Sequence, residues 1–213
     1  VVTFAGFFNS GYVNGSLTNA RFSFIYGLAV DPAGNIFVAD NGNNRIRKID
    51  TNGSVSTFAG SGNVGRQNGI GVFTSFNYPT VMACDLVGNV FVADSGGTAI
   101  RRITPDSVVT TFVGRFESGP VSDGFGTNAT FNGIRGMTID ALGNIYASDN
   151  GLIRKITPEG RVTTLAGRSS SFYAEGEGIN ARFSWPSGLS LDSGSNIYVA
   201  DRFNNRIRRV AYG

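Results

Sequence analysis

A chain of 213 residues with 15% charged residues, a net charge of +3 and no histidine has material for one domain with its own core. It is poor in charge beside the roughly 25% usual for soluble domains, and without histidine a Ser-His-Asp triad, a Cys-His pair and every histidine-bound zinc or iron site are excluded. A single cysteine, Cys84, excludes an internal disulfide, and no apolar run approaches the roughly 18 residues of a membrane-spanning helix.

Taken in chain order, the first segment is Val-Thr-Phe-Ala-Gly at 2–6. An insert follows, with Asn14-Gly15 and, seven residues after the glycine, Phe22. Next come a short apolar strand (Gly-Leu-Ala-Val-Asp, 27–31), a turn at 32–35, and the strand Gly-Asn-Ile-Phe-Val-Ala-Asp ending at Asp40. The turn residues supply side-chain-to-backbone hydrogen bonds and positive φ, and the near-continuous apolar run of the second strand fits a strand buried on both faces. A turn at 41–44, a third strand at 45–49, a hairpin at 51–54 and a fourth strand at 55–60 complete the unit. The unit then recurs: the Asp that closes the second strand returns as Asp94, Asp149 and Asp201, at intervals of 54, 55 and 52 residues.

Self-similarity at such a period marks a repeat architecture. Four antiparallel strands per repeat, with Gly-rich turns, describe β-propeller blades. The expected fold is all-β: four four-stranded blades at about 25–60, 79–114, 133–167 and 185–213, one domain over 1–213. The chain ends after a third strand and begins with a fourth, so residues 1–6 are expected to complete the last blade by pairing with 206–210 and remove its open edge. The alternative is a segment of a larger or oligomeric ring.

The pattern Gly-Leu-Ala-Val-Asp, Gly-Asn-Ile-Phe-Val-Ala-Asp, Asn-Asn-Arg-Ile-Arg-Lys-Ile resembles the NHL repeat. All four repeats carry it, the first and fourth most fully. The second has Ser-Gly-Gly-Thr at 95–98 in place of Asn-Asn, and the third shortens the turn to Asn150-Gly151. The resemblance implies a propeller that serves as a binding platform, with three kinds of precedent: protein partners, single-stranded RNA held on a basic face, and enzymes. The family's peptidyl-hydroxyglycine lyases use zinc and histidine ligands, which this chain lacks. Related lactone hydrolases use acidic metal ligands in the central channel.

Eight of the fifteen acids stand at two repeated positions: Asp31, Asp85, Asp140 and Asp192, and Asp40, Asp94, Asp149 and Asp201. Repetition of this kind fits turn capping better than catalysis. No cofactor is expected, and a hard cation such as calcium would need one ring of these carboxylates to converge. Eight of the eighteen basic residues form the pairs Arg47-Lys48, Arg101-Arg102, Arg154-Lys155 and Arg208-Arg209, read as scaffold, which counts against nucleic acid as a partner. Cys84 aligns with Val30, Ile139 and Leu191, so it is read as a packing residue.

The inserts repeat too. Phe22, Phe76, Phe131 and Phe183 are expected to plug between blades, while variable tips carry Phe7, Phe8, Tyr12, Arg66, Arg115, Phe116, Arg168, Phe172 and Tyr173. Aromatics and Arg on loops are the residue types of binding hot spots. Three sequons, at Asn14, Asn52 and Asn128, match the number chance would supply and fall in expected loops, where glycosylation is sterically feasible. The first residues carry neither Met nor signal peptide, so the chain is expected to be part of a longer one. The reading is a non-catalytic module for protein interaction or assembly, extracellular or at the cell surface, with a cytoplasmic site as the alternative.

Overall fold

The structure is a computed structural model that describes residues 1–117, 119–168 and 173–211. It is all-β, a β-propeller fold of four antiparallel blades. The chain resolves into two compact units, 1–96 with 100–111, and 97–99 with 112–213.

In the first unit, the first blade holds β1 (Gly15–Ser16), β2 (Ile25–Val30), β3 (Ile36–Asp40), β4 (Arg45–Ile49) and β5 (Ser54–Ala59), in the order β1-β5-β4-β3-β2. The second blade repeats it with β6 (Gly69–Ile70), β7 (Met82–Cys84), β8 (Val90–Asp94), β9 (Ala99–Ile103) and β10 (Val108–Gly114), the ends of β9 and β10 falling in the second unit. The central strands are buried on both faces, as the apolar runs at Phe37, Val38 and Ala39 require.

The turns form for the reasons their residues suggest. The Asp31 carboxylate accepts the Asn35 backbone N–H at 2.8 Å and its side-chain amide at 2.7 Å, while Gly34 takes φ 88°, a conformation open to glycine. The hairpin after β4 is held by Asp50, which accepts the N–H groups of Asn52 and Ser54.

The second unit holds β11 (Gly124–Phe125), β12 (Ile134–Ile139), β13 (Ile145–Asp149), β14 (Leu152–Ile156) and β15 (Arg161–Gly167) in the same order, then β16 (Pro186–Leu191), β17 (Ile197–Asp201) and β18 (Arg206–Val210) as a three-stranded sheet. Within each unit the first long strand of one blade lies against that of the next. A Cβ on Gly27 would meet the Thr80 carbonyl oxygen at 2.5 Å, and one on Gly136 the Ser187 carbonyl oxygen at 1.8 Å. Glycine there is a packing requirement.

Two expectations are corrected. Each of the first three blades has a fifth, two-residue strand from its insert (β1, β6, β11), which no hydrophobic pattern announces. The last blade has three strands, β16–β18, and residues 1–6, expected as a fourth strand, form none. Strands β5, β10 and β15 follow their third strands through short turns and so extend a sheet already in place, whereas 1–6 has no preceding strand in sequence to fold back on.

Candidate functional site

The inserts are where side chains vary between repeats, and each is anchored by one buried arginine. Arg47 lies on β4, fully enclosed, and donates from Nη1 to Asp40 at 2.8 Å and to the Arg21 carbonyl at 3.1 Å. From Nη2 it donates to the Val13 carbonyl at 2.9 Å and to the Asn14 side chain at 2.7 Å. Asp40 in turn accepts the Ser23 N–H at 2.8 Å, and the guanidinium stacks on Phe22, 5.1 Å from the ring centre.

The arrangement recurs at Arg101 with Asp94, Asn68 and Phe76, at Arg154 with Asp149, Asp123 and Phe131, and at Arg208 with Asp201, Glu175 and Phe183. Each guanidinium thus ties together two points of an insert eight residues apart, as Val13 and Arg21 are, using the fixed fork of donors that only Arg provides. Burial pushes the Asp94 and Asp149 carboxyls up and the Arg101 guanidinium down, and the pairing with Arg opposes the shift in both carboxyls. Phe76, Phe131 and Phe183 are buried as plugs, as expected from their fixed spacing.

The paired basic residues are therefore scaffold in their first member. The sequence reading missed the role of that member, although a signal was present: the first residue is Arg in all four repeats, while the second is Lys in two of them. The second Asp set does more than cap turns, since it holds the clamps. The first set, Asp31, Asp85, Asp140 and Asp192, caps turns as expected. Among the described residues no group of three or more Cys, Asp and Glu stands where it could hold a metal ion. The Cys84 thiol is pushed up to about 11, first by burial and then by Asp85 and Asp31, which suits a packing residue.

The predicted tips divide. Tyr12 and Tyr173 tuck back: Tyr12 lies under Arg45 at 3.9 Å and bonds Thr57, and Tyr173 lies under Arg206 at 4.1 Å. Arg66, Arg115 and Arg168 are exposed and Phe116 half-buried; Phe172 lies outside the described residues. Phe7 and Phe8 are exposed, their ring centres 4.7 Å apart, with Arg21 over Phe7 at 5.4 Å. These two border a cavity of about 790 Å³ that Ala5, Phe22, Phe24 and Ile25 also line. Of the sequon residues, Asn52 sits in an exposed hairpin and Asn128 at an exposed turn, while the Asn14 side-chain amide oxygen accepts a hydrogen bond from Arg47. No helix among the described residues is long and apolar enough to cross a membrane.

Comparison with known proteins bears on fold and family. The NHL repeat profile matches residues 22–49 and 183–209. The chain is 27% identical over 93% of its length to teneurin-3 of Danio rerio, of which it spans 8%, and 33% identical over 74% of its length to NHL repeat-containing protein 2 of Homo sapiens, of which it spans 24%. It thus spans under a quarter of these curated relatives. Among solved structures, an auxiliary nutrient binding protein from Bacteroides ovatus superposes on 92% of the chain with a TM-score of 0.74 and 23% identity, the match covering 50% of that protein.

Proposed function

The chain is an NHL-repeat β-propeller, and from that premise we propose that it is a non-catalytic module for protein interaction or assembly. The observation that carries this reading is the exposed aromatic pair Phe7 and Phe8 at a cavity that Phe22 and Phe24 also line. Aromatic side chains standing in water around an apolar hollow mark a contact surface rather than a fold requirement. The ionisable residues favour the same reading from the other side. The repeated carboxylates are tied to Asn or Arg partners, and the one thiol is held protonated.

Single-stranded RNA is the weaker reading. It needs arginines on a surface beside aromatics, and Arg47, Arg101, Arg154 and Arg208 are buried within the blades. An extracellular or cell-surface location is part of the proposal, supported by the low charge and by exposed Asn52 and Asn128. Binding through Phe7 and Phe8 is tested by capture from extract of the source organism on immobilised chain, wild type against the Phe7→Ser, Phe8→Ser double variant. Proteins held by the wild type should be lost from a variant whose melting temperature is unchanged. Identical captured sets would defeat the assignment.

A further inference from the structure

One position on the second long strand of each blade divides the repeats into two kinds. In the third and fourth blades it is tyrosine, and the hydroxyl donates to Oδ2 of the Asp that opens the preceding turn, Tyr146 to Asp140 at 3.1 Å and Tyr198 to Asp192 at 3.3 Å. That oxygen therefore serves two donors, since it also accepts the side-chain amide of Asn144 or Asn196. In the first two blades the position is phenylalanine, Phe37 and Phe91. The Asp31 Oδ2 keeps the Asn35 amide at 2.7 Å, and among the described residues no second side chain donates to it. The acceptor that a tyrosine fills elsewhere is left over.

Asp31 and Phe37 both line a cavity of about 260 Å³ that lies wholly within the first unit. Phe58 of β5 stands against Phe37, ring centres 4.8 Å apart, and Lys48 of β4 reaches over the Phe37 ring at 5.9 Å. Among the described residues Lys48 enters no ion pair. Leu86 and Val87, from the first turn of the second blade, also line the cavity and are 68% and 74% exposed. The last blade has Ser193 and Gly194 at these two places, in keeping with the polar and small residues that turns favour. Asp85 holds the turn by accepting the Val87 and Asn89 N–H groups at 3.1 and 2.8 Å, so the turn does not need its apolar pair.

We propose that this cavity binds a free amino acid with an apolar side chain, its ammonium on Asp31 Oδ2, its carboxylate on Lys48 and its side chain against Phe37, Phe58, Leu86 and Val87. The ammonium takes the place that the tyrosine hydroxyl holds in the third and fourth blades, and as a charged donor it makes the stronger bond. The carboxylate gives Lys48 an anionic partner. A ligand with only one of the two charges leaves the other side chain facing an apolar body without a partner, which costs binding. Size agrees with a ligand of one amino acid, since cavities for drug-sized molecules run from about 300 to 1,000 Å³. The site shares no residue with the surface around Phe7 and Phe8, so it stands apart from the protein-contact reading.

The test is calorimetric titration of the chain with L-leucine and with L-phenylalanine, each compared with its amide and its N-acetyl derivative. Saturable binding of at least one of the two free amino acids is expected, at one equivalent per chain and millimolar affinity or better; no saturable binding of either overturns the proposal. The amide lacks the carboxylate and the N-acetyl form lacks the ammonium, so each should bind at least about tenfold more weakly, the worth of one hydrogen bond to a charged group. Either derivative binding as tightly as the free amino acid would overturn the assignment of both charges. Phe37→Tyr supplies from within the chain the hydroxyl that Tyr146 and Tyr198 supply, so it should keep the melting temperature and weaken binding by at least about tenfold. A folded Phe37→Tyr variant that binds like wild type refutes the place given to the ammonium. Lys48→Met, at a half-buried side chain, should weaken the free amino acid but leave the amide unchanged, and an equal loss for both would refute the carboxylate contact. That comparison decides alone where Phe37→Tyr does not fold.

Discussion

At the scale of single residues, the buried arginines decide how the variable inserts are held. Arg101 makes four hydrogen bonds from its two terminal nitrogens, to Asp94, the carbonyls of Ser75 and Gln67, and the Asn68 side chain. Removing it leaves the Asp94 carboxylate buried without its cation, which by analogy with other broken buried pairs costs about 3–5 kcal/mol. Arg101→Ala should therefore lower the unfolding free energy obtained from denaturant titration by that amount. Arg101→Lys keeps the charge but has no fork to span both points of the insert, and it should recover only part of the loss. Arg209→Lys, on an exposed side chain, serves as the control and should stay within about 0.5 kcal/mol of wild type. Full stability in Arg101→Lys would show that charge alone holds the insert.

At the scale of elements, one repeat position behaves in two ways according to what stands beside it. Gly136 has the Ser187 carbonyl where a Cβ would go, whereas Gly188 faces open space. Gly136→Ala should destabilise by about 1–3 kcal/mol, the usual penalty of overpacking. Gly188→Ala should be neutral or stabilise by up to about 1 kcal/mol through the unfolded chain. Melting curves of the two variants check this, and equal losses would refute the blade-to-blade contact as the reason for glycine. The strands themselves were legible in the sequence, because runs such as Ile-Phe-Val-Ala-Asp are apolar on both faces and their turns carry Asp, Asn and Gly. The insert strands were not, because Gly15–Ser16 has no pattern of its own and pairs with β5 beside the Arg47 clamp on Val13. The clamp was hidden for a similar reason: half of its acceptors are backbone carbonyls, which any residue can supply. The segment 1–6 carries the sequence of a fourth strand, matching 55–60, yet forms none, because a sequence match does not supply a partner strand.

At the scale of the whole molecule, five of the repeated carboxylates form two groups that respond oppositely to acid. Asp192 lies below its ordinary value of 3.8 mainly through the Asn196 side-chain hydrogen bond. For Asp31 and Asp140 burial pushes upward, but the hydrogen bonds from Asn35 and Asn144 prevail and both end low. A carboxyl held low in the folded state contributes stability that is present above 3.8 and lost as pH falls through its folded value. Asp94 and Asp149, pushed up by burial, do the reverse: their contribution is present below 3.8 and fades as pH rises through their folded values. Between neutrality and the mid-acid range the buried pair therefore works against any loss, and the turn caps take over only below about pH 4. The melting temperature should hold or rise slightly on mild acidification and then fall steeply. Asp192→Asn keeps an acceptor for the Gly194 and Asn196 N–H groups but cannot titrate, so its deficit against wild type should be visible at neutral pH and close as the pH drops through the range where Asp192 itself takes up a proton. A deficit that stays constant from neutral to acid would show that the turn depends on the shape of the side chain and not on its charge.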